Sequence, residues 1–253
     1  MSTLGVIFIL WLRDMKRFSR SPSRVIGSIT MPLLILVALG AGFGRMPIPG
    51  INSPNYLSFL VPGMLGMTIL FSGVFSGMSV LWDRQYGFLK EIMVAPVPRV
   101  AIVIGRIASG STTGVIQATV IALVASAIGF TFPSVAGFAL AIVFMVLISV
   151  IFTGIGLVFA SRMKDEQGFG LIMNFLIMPF LFLSGAFAPL GNLPPWVKAF
   201  SYADPLTYGI EGLRAALLGG SAVPLPLSLG VCMACATIMV LAGAWFFETS
   251  QAV

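Results

Sequence analysis

The sequence predicts an all-helical integral membrane protein, on the grounds of its composition, the length of its apolar runs and the distribution of its charges. Hydrophobic residues make up 58% of the 253 residues and charged residues only 9%, and the mean hydropathy is +1.05. Soluble domains are roughly one quarter charged, so this composition excludes a soluble domain of comparable length. We therefore expect a polytopic membrane protein.

Six apolar runs are long enough to cross a bilayer, which requires about 20 residues per helix. They cover roughly residues 25–44, 57–81, 107–129, 135–160, 168–189 and 223–247. Backbone groups in lipid must form hydrogen bonds within their own segment, so we expect each run to be a helix. A barrel is excluded because the runs are continuous and do not alternate with polar residues.

The basic residues predict the orientation of these spans. If the N-terminus is cytoplasmic, eleven of the 14 Lys and Arg residues fall on that side, and only Arg45, Lys198 and Arg214 fall outside. This asymmetry predicts that both termini face the cytoplasm. The net charge of +6 is thereby explained by orientation, so no nucleic-acid partner is expected. The short apolar piece at 6–12 lacks the preceding charge and the cleavage site of a signal peptide.

Residues 4–22 alternate apolar and basic positions at helical spacing, which predicts an amphipathic helix in the lipid headgroup plane. A simple basic retention tail is the alternative.

Cys232 and Cys235 lie inside the last run and are interpreted as packing residues. The chain has no histidine, so we expect no metal site. Gly73-x-x-x-Gly77 and Gly110-x-x-x-Gly114 allow close helix packing, either within one subunit or between two.

A polar stretch separates the second and third apolar runs. Its notable residues are Asp83, Arg84, Tyr86, Gly87, Phe88, Leu89, Lys90, Glu91, Pro96 and Arg99. A compact charged helix between two spans is typical of a docking surface, in which charge pairs set the register and apolar side chains anchor a partner. A solvated loop helix with i,i+3 charge pairs is the alternative. The order of these residues, followed by Gly105-Arg106, resembles the cytoplasmic coupling segment of ABC-2-type transport permeases, the membrane subunits of ATP-driven exporters.

A second block, which starts at Phe182-Leu183-Ser184-Gly185, resembles the other signature of the same family. It continues through Pro189, Asn192-Leu193-Pro194-Pro195-Trp196, Asp204-Pro205-Leu206-Thr207-Tyr208 and Glu211-Gly212-Leu213-Arg214. Two ordered blocks are more specific than either block alone. Within the family, the pattern is most similar to the daunorubicin-exporter and nodulation-type permeases.

The segment that carries this block, 190–222, also has local helix signals. Asn192 is expected to cap a short helix through Trp196 toward Phe200, after the fifth run breaks at Pro179. Asp204-Pro205 is expected to start a second helix that ends at Gly219-Gly220. Both helices are too short to span, so we expect them to be re-entrant pieces of the outer leaflet. Their candidate functional residues are Trp196, Asp204, Pro205, Thr207, Tyr208, Glu211 and Arg214.

The resemblance implies one ABC-2-type domain over residues 1–253, with an interfacial helix at 4–22 and a coupling helix at 83–99. It implies that two copies pair around a central path in the cell membrane. It also implies that two separate ATPase subunits, which hold ATP and Mg, bind beneath them. Its layout suggests that Phe71, Phe75, Asn174 and Phe182 line the path of a hydrophobic or amphipathic drug, lipid or glycolipid.

No residue pattern in the chain supports ATP hydrolysis. The four lysines precede Arg17, Glu91, Asp165 and Ala199, so the phosphate-binding motif Gly-x-x-x-x-Gly-Lys-Ser/Thr does not occur. We therefore expect no enzyme activity and no cofactor in this chain. The alternatives are a secondary transporter or channel without an ATPase and, third, a membrane-embedded enzyme. The ionisable groups that an ion-coupled carrier usually keeps at midspan are missing from all six runs, where Gln117 and Asn174 are the notable polar residues.

Overall fold

The computed structural model describes residues 3–43, 55–87, 98–132, 134–163 and 165–249, and every regular element in these ranges is a helix. In chain order the helices are α1 Thr3–Ser19, α2 Pro22–Phe43, α3 Tyr56–Ser76, α4 Met78–Gln85, α5 Arg99–Ile128, α6 Val135–Arg162, α7 Glu166–Leu183, α8 Pro195–Ala203, α9 Pro205–Leu218 and α10 Leu225–Thr249, with a 3-10 turn at Leu190–Asn192.

Six stretches of helix are long and apolar enough to cross a membrane. They are Val25–Phe43, Tyr56–Gln85, Arg99–Ile128, Val135–Arg162, Glu166–Leu183 and Leu225–Phe246. The second span combines α3 and α4, which meet at Gly77 in a helical backbone conformation. The predicted all-helical class and the six spans are confirmed.

Helix α3 is the centre of the bundle. Every residue from Leu57 to Leu70 is buried, and α3 contacts α2, α5, α6, α7 and α9. A helix that is apolar on all faces can be enclosed in this way without burying unpaired polar side chains. The neighbouring helix α6 is the second hub, since it also packs on α5, α9 and α10.

Small residues let α3, α5 and α6 approach closely. A Cβ atom at Gly156 on α6 would lie 2.3 Å from the carbonyl oxygen of Val74, and one at Gly77 would lie 2.4 Å from Gly156. Gly110 and Gly114 on α5 face side chains of α6 at similar range. Both Gly-x-x-x-Gly motifs therefore pack inside one subunit, which decides between the two uses that their spacing allowed.

Two predicted span boundaries are wrong. The fifth run does not break at Pro179, because α7 continues through this residue to Leu183. A membrane helix tolerates proline where neighbouring groups satisfy the freed backbone carbonyl. The third span begins before residue 107, because α5 starts at Arg99 and thus places Arg106 inside the helix.

The segment after α7 folds back onto the bundle. The expectation that Asn192 caps α8 is wrong. Asn192 ends the 3-10 turn, and α8 begins after Pro194. Helix α9 has the predicted start and end, with Asp204 as its N-cap and Gly219 in a left-handed conformation as its C-cap. It packs on α3, α6 and α10, so this part of the outer segment is enclosed by protein.

Candidate functional site

The predicted coupling segment begins at the end of α4, and the structure describes its two ends. Its residues Phe88, Leu89, Lys90, Glu91 and Pro96 lie outside the described residues. Before them, the Tyr86 side chain is 79% exposed. After them, Arg99 is the exposed first residue of α5.

Gly87 ends α4 in a turn that favours glycine. Its φ angle is +76°, and the space around it is open. Its N–H donates to the carbonyl of Arg84 at 3.1 Å, while the N–H of Tyr86 donates to Trp82 at 2.9 Å. Residues with a Cβ rarely adopt a positive φ, so the backbone conformation favours glycine here. The further role of Gly87 as a point of close approach for a partner stays a prediction.

Asp83 lies in the interior and not on a docking surface. Its carboxylate is bonded by the Arg106 guanidinium, and Arg13 Nη2 donates to Asp83 Oδ2 at 3.0 Å. Asp14 accepts from Arg106 at 3.2 Å, and Arg17 lies 4.0 Å from Asp83. We call Arg13, Asp14, Arg17, Asp83 and Arg106 the ion cluster. It joins α1, α4 and α5.

Serine hydroxyls complete the ion cluster. Ser109 Oγ donates to Asp14 Oδ2 at 3.0 Å, and Arg106 Nη1 donates to Ser79 Oγ at 3.1 Å. The Arg106 side chain is only 2% exposed, which makes these partners necessary because an unpaired buried charge is costly. The cluster therefore sets the relative positions of the three helices.

Arg84 also bonds within the chain. Its guanidinium donates to the carbonyl oxygens of Ser161 at 3.1 Å and Met163 at 2.9 Å. These carbonyls lie at the C-terminal end of α6, where backbone acceptors lack helical partners and a cation is favourable. The expected charge pair for a docking partner, Asp83 and Arg84, is thus engaged with α1, α5 and α6.

The acidic cap of α9 is buried. Asp204 Oδ1 accepts from the backbone N–H of Leu206 at 2.8 Å, and Pro205 occupies the first turn. Burial raises the pKa of the Asp204 carboxyl to about 8, although the hydrogen bonds from Leu206 and Thr207 act in the opposite direction. Nearby, Tyr208 donates to the carbonyl of Tyr202 at 2.9 Å. Trp196 on α8 is 68% exposed.

Glu211 and Arg214 form a buried ion pair within α9. Arg214 Nη2 donates to the carbonyl of Gly185 at 3.1 Å, and its guanidinium lies 4.1 Å from the ring centre of Phe59 on α3. Glu211 Oε2 accepts from the N–H of Ala222. This pair therefore ties the loop after α7 and the loop before α10 to the core.

The four residues expected on a substrate path separate into two groups. Phe71 and Phe75 line a cavity of about 460 Å³ whose walls come from α1 to α5. Asn174 and Phe182 do not line this cavity. Both are exposed on α7. Phe182 instead packs against Phe187, with ring centres 5.8 Å apart.

Comparison with known proteins matches residues 5–218 to the family model described as ABC-2 type transporter. The matched stretch runs from α1 to the end of α9 and includes the ion cluster. The chain belongs to the ABC-2 type transporter family. It is 31% identical over 210 residues to the transport permease ycf38 of Cyanophora paradoxa, covering 82% of this chain and 72% of that protein.

Two further relatives of this ABC-2 permease are bacterial. The inner membrane transport permease YadH of Escherichia coli K12 is 27% identical over 230 residues, covering 88% of this chain and 86% of its own length. Nodulation protein J of Rhizobium leguminosarum bv. viciae is 25% identical over 225 residues, covering 88% and 86%. The predicted resemblance to the family is confirmed.

Sequence reasoning missed that α1 supplies part of the permease interior. It placed the basic side chains of α1 at the headgroups, whereas Arg13 and Arg17 turn toward Asp83. The available signal in the sequence was Asp14, the single acidic residue in the basic segment 4–22, together with Asp83 and Arg106 near the ends of two spans. Trp11 adds a further contact, since its indole N–H donates to Thr112 Oγ1 on α5 at 3.0 Å.

Proposed function

We propose that this permease is the membrane subunit of an ATP-driven exporter that moves a hydrophobic or amphipathic substrate across the cytoplasmic membrane by alternating access. Two copies pair, and two separate ATPase subunits bind ATP and Mg and supply the energy. The substrate is a drug, a lipid or a glycolipid. Family membership supports the ATPase partner, while the resemblance to daunorubicin-exporter and nodulation-type permeases supports the direction and substrate class.

The observation that carries this proposal is the position of the ion cluster beside the coupling segment. Asp83 is four residues before Gly87, and it is bonded to Arg13 on α1 and Arg106 on α5. Arg84 is bonded to the end of α6. A displacement of the coupling segment is therefore expected to move four helices together, because short charged hydrogen bonds with low exposure to water resist separation.

Docking itself falls on the residues that follow these anchors. Tyr86 has an exposed aromatic ring, and exposed aromatics next to charged residues are typical anchors of protein interfaces. Asp83 and Arg84 are engaged internally, so Tyr86, Gly87, Phe88 and Glu91 are the proposed contact residues. Glu91 favours a basic groove on the ATPase.

The test measures co-purification of the ATPase with the permease and the ATP turnover of the complex. Glu91→Arg places a repulsive charge in the contact and is expected to lower ATPase retention at least tenfold. Gly87→Trp is expected to do the same by blocking approach. Gly87→Ala introduces a positive-φ strain without the bulk, and Lys198→Glu reverses a charge on α8, so both serve as matched controls.

Retention close to the wild-type level is expected for Gly87→Ala and Lys198→Glu. Unchanged assembly and turnover in both Glu91→Arg and Gly87→Trp would contradict the coupling role. If Gly87→Ala loses the ATPase as fully as Gly87→Trp, the turn geometry and not partner approach is what residue 87 contributes.

A secondary transporter or channel is the alternative of another class. Such carriers usually place ionisable groups at the middle of the membrane. Across the described ranges, the charged side chains of the six spans lie in terminal turns, apart from Arg106, which lies about two turns into α5. Arg106 is already paired with Asp14 and Asp83. This arrangement favours an ATP-driven exporter over a secondary transporter or channel.

A further inference from the structure

The cavity lined by Phe71 and Phe75 reaches the protein surface between α1 and α2. Three of its lining residues, Arg17, Gly27 and Met31, are exposed. From this opening it follows α3 and α4 over the stretch from Trp82 to Met67, which corresponds to about 22 Å of helix. The cavity is therefore an elongated slot within one subunit.

The walls of this slot are mainly apolar. Phe71 and Phe75 present parallel rings with centres 6.4 Å apart and an angle of 3° between their planes. Met31 and Pro32 of α2 and Met67 of α3 extend this surface. A volume of about 460 Å³ lies within the range of small-molecule sites. The walls suit an extended apolar chain.

One end of the slot carries excess positive charge. Asp14 and Arg17 of the ion cluster line this end. The cluster holds three guanidinium groups and two carboxylates, so one positive charge remains uncompensated within it. An anionic group is therefore favoured at the open end.

An orphaned polar atom lies along the slot. The Gln117 side chain is only 4% exposed and lines the cavity, and within the described part of the chain its Oε1 has no hydrogen-bond partner. Two other polar residues of the wall bond to the backbone of their own helix: Thr113 donates to Gly110 at 2.8 Å and Ser28 donates to Val25 at 2.9 Å. A buried acceptor without a partner favours a ligand with a donor.

We propose that this slot binds an anionic amphiphile, with its acidic group beside Arg17, its apolar chain against Phe71 and Phe75, and a hydroxyl or amide donor at Gln117. A membrane lipid and a transported solute share this chemistry. The proposal concerns the permease alone and does not require an ATPase partner. It goes beyond the proposed function, because it places a ligand inside one subunit.

The experiment is native mass spectrometry of the full-length permease with two fatty acids present at equal concentration. The probes are hexadecanoate and 16-hydroxyhexadecanoate, which differ only by a terminal hydroxyl donor. The wild-type chain is expected to retain one acid and to prefer the hydroxylated acid by about fivefold, the size of one net hydrogen bond. The ratio is read within one spectrum, so it does not depend on the fraction of folded protein.

Four variants test the parts of the slot separately. Gln117→Leu keeps the side-chain volume and removes the acceptor, so it is expected to abolish the preference while retaining binding. Arg17→Gln is expected to weaken both acids about tenfold. Arg20→Gln, one residue after the end of α1 and not among the residues that line the slot, is its matched control. Phe71→Trp fills the slot and is expected to reduce retention of both acids.

Three results would overturn the proposal: no retained acid in the wild-type chain, an unchanged preference in Gln117→Leu, or equal weakening by Arg20→Gln and Arg17→Gln. A final arm adds phosphatidylglycerol to identify the source of the ligand. Displacement of the bound acid by this lipid assigns the slot to an anionic membrane lipid. Retention of the acid assigns it to a soluble amphiphile.

Discussion

Asp83 joins the start of the predicted coupling segment to α1 and α5. It is 6% exposed and accepts from Arg13 and Arg106, two residues on different helices. A buried carboxylate between guanidinium groups is costly to desolvate, so its net effect on stability is small while all partners are present. Removing the Asp83 carboxylate leaves Arg13 and Arg106 to share Asp14, so the cluster carries more unbalanced positive charge.

We predict that Asp83→Ala lowers the free energy of unfolding by about 3 kcal/mol, because the buried Arg106 and the partly exposed Arg13 are left to share the carboxylate of Asp14. Thermal unfolding of the purified permease in detergent is the measurement. The control is Lys16→Ala, a change at an exposed residue of α1, which is expected to have almost no effect on the free energy of unfolding.

The double variant Asp83→Leu, Arg106→Leu separates charge pairing from helix packing. It removes both buried charges and leaves Asp14 paired with Arg13. We expect it to recover most of the lost stability, since apolar replacements of a buried pair are often neutral. A double variant as unstable as Asp83→Ala would mean that the pair does not act as a unit.

The Asp204 carboxyl predicts a pH dependence of the outer segment. Its pKa is raised by burial to about 8 from a usual value of 3.8. The folded state thus binds the proton more tightly than the unfolded state, so the stability gained from this group is complete below pH 4 and is lost as pH rises to about 8.

The expected outcome is a lower melting temperature at pH 8.5 than at pH 6. Asp204→Asn keeps a good N-cap without a titratable group and should flatten this difference. Asp204→Ala removes the cap as well and should be about 1 kcal/mol less stable than Asp204→Asn at either pH. A pH slope in Asp204→Asn equal to that of the wild type would assign the dependence to another group.

At the scale of elements, the bundle depends on the seam between α3 and α6. The two helices meet at Gly77 and Gly156, where a Cβ atom would overlap backbone atoms of the opposite helix. Apolar side chains gain little from association in lipid, because lipid tails are equally apolar. Close backbone approach and the dispersion contacts it permits therefore stabilise this seam.

We predict that Gly156→Ala separates α3 from α6 and lowers the free energy of unfolding by about 2 kcal/mol, since a single added methyl in a tightly packed seam forces the backbone to shift. Gly42→Ala is the matched control. It lies in α2 with no atom within 4 Å of the added Cβ, so it should be neutral or slightly stabilising. Equal melting temperatures for the two variants would contradict the seam.

At the scale of the whole molecule, the arrangement predicts two faces. The ion cluster and the ends of α4 and α5 form one end of the bundle. The other face is predicted to carry the segment 190–222, which includes α8. The distribution of basic residues predicts that the first face lies in the cytoplasm under the positive-inside rule.

Cysteine labelling checks this topology. In a chain whose Cys232 and Cys235 are replaced by alanine, Lys90→Cys is expected to react only with reagent added from the cytoplasmic side. Lys198→Cys is expected to react only from the outside. Labelling of residue 90 from the outside would overturn both the orientation and the coupling assignment.

The sequence by itself determined the class, the six spans and the family of this permease. Those properties depend on composition, run length and ordered motifs, which sum local preferences for lipid over water. Local signals also sufficed where they were strong, as for Asp204-Pro205 at the start of α9 and Gly219 at its end. They failed at Pro179, where neighbouring helices decide whether a helix continues.

Only the tertiary structure decided which charges meet and where the cavity lies. Arg13 and Asp83 are 70 residues apart in the chain, and Asp14 and Arg106 are 92 apart. Such pairs depend on the relative rotation of helices, which hydrophobicity along a single segment does not specify because every face of these spans is apolar. The orphaned Gln117 in the slot is likewise defined by the neighbours that surround it and not by its own position in the sequence.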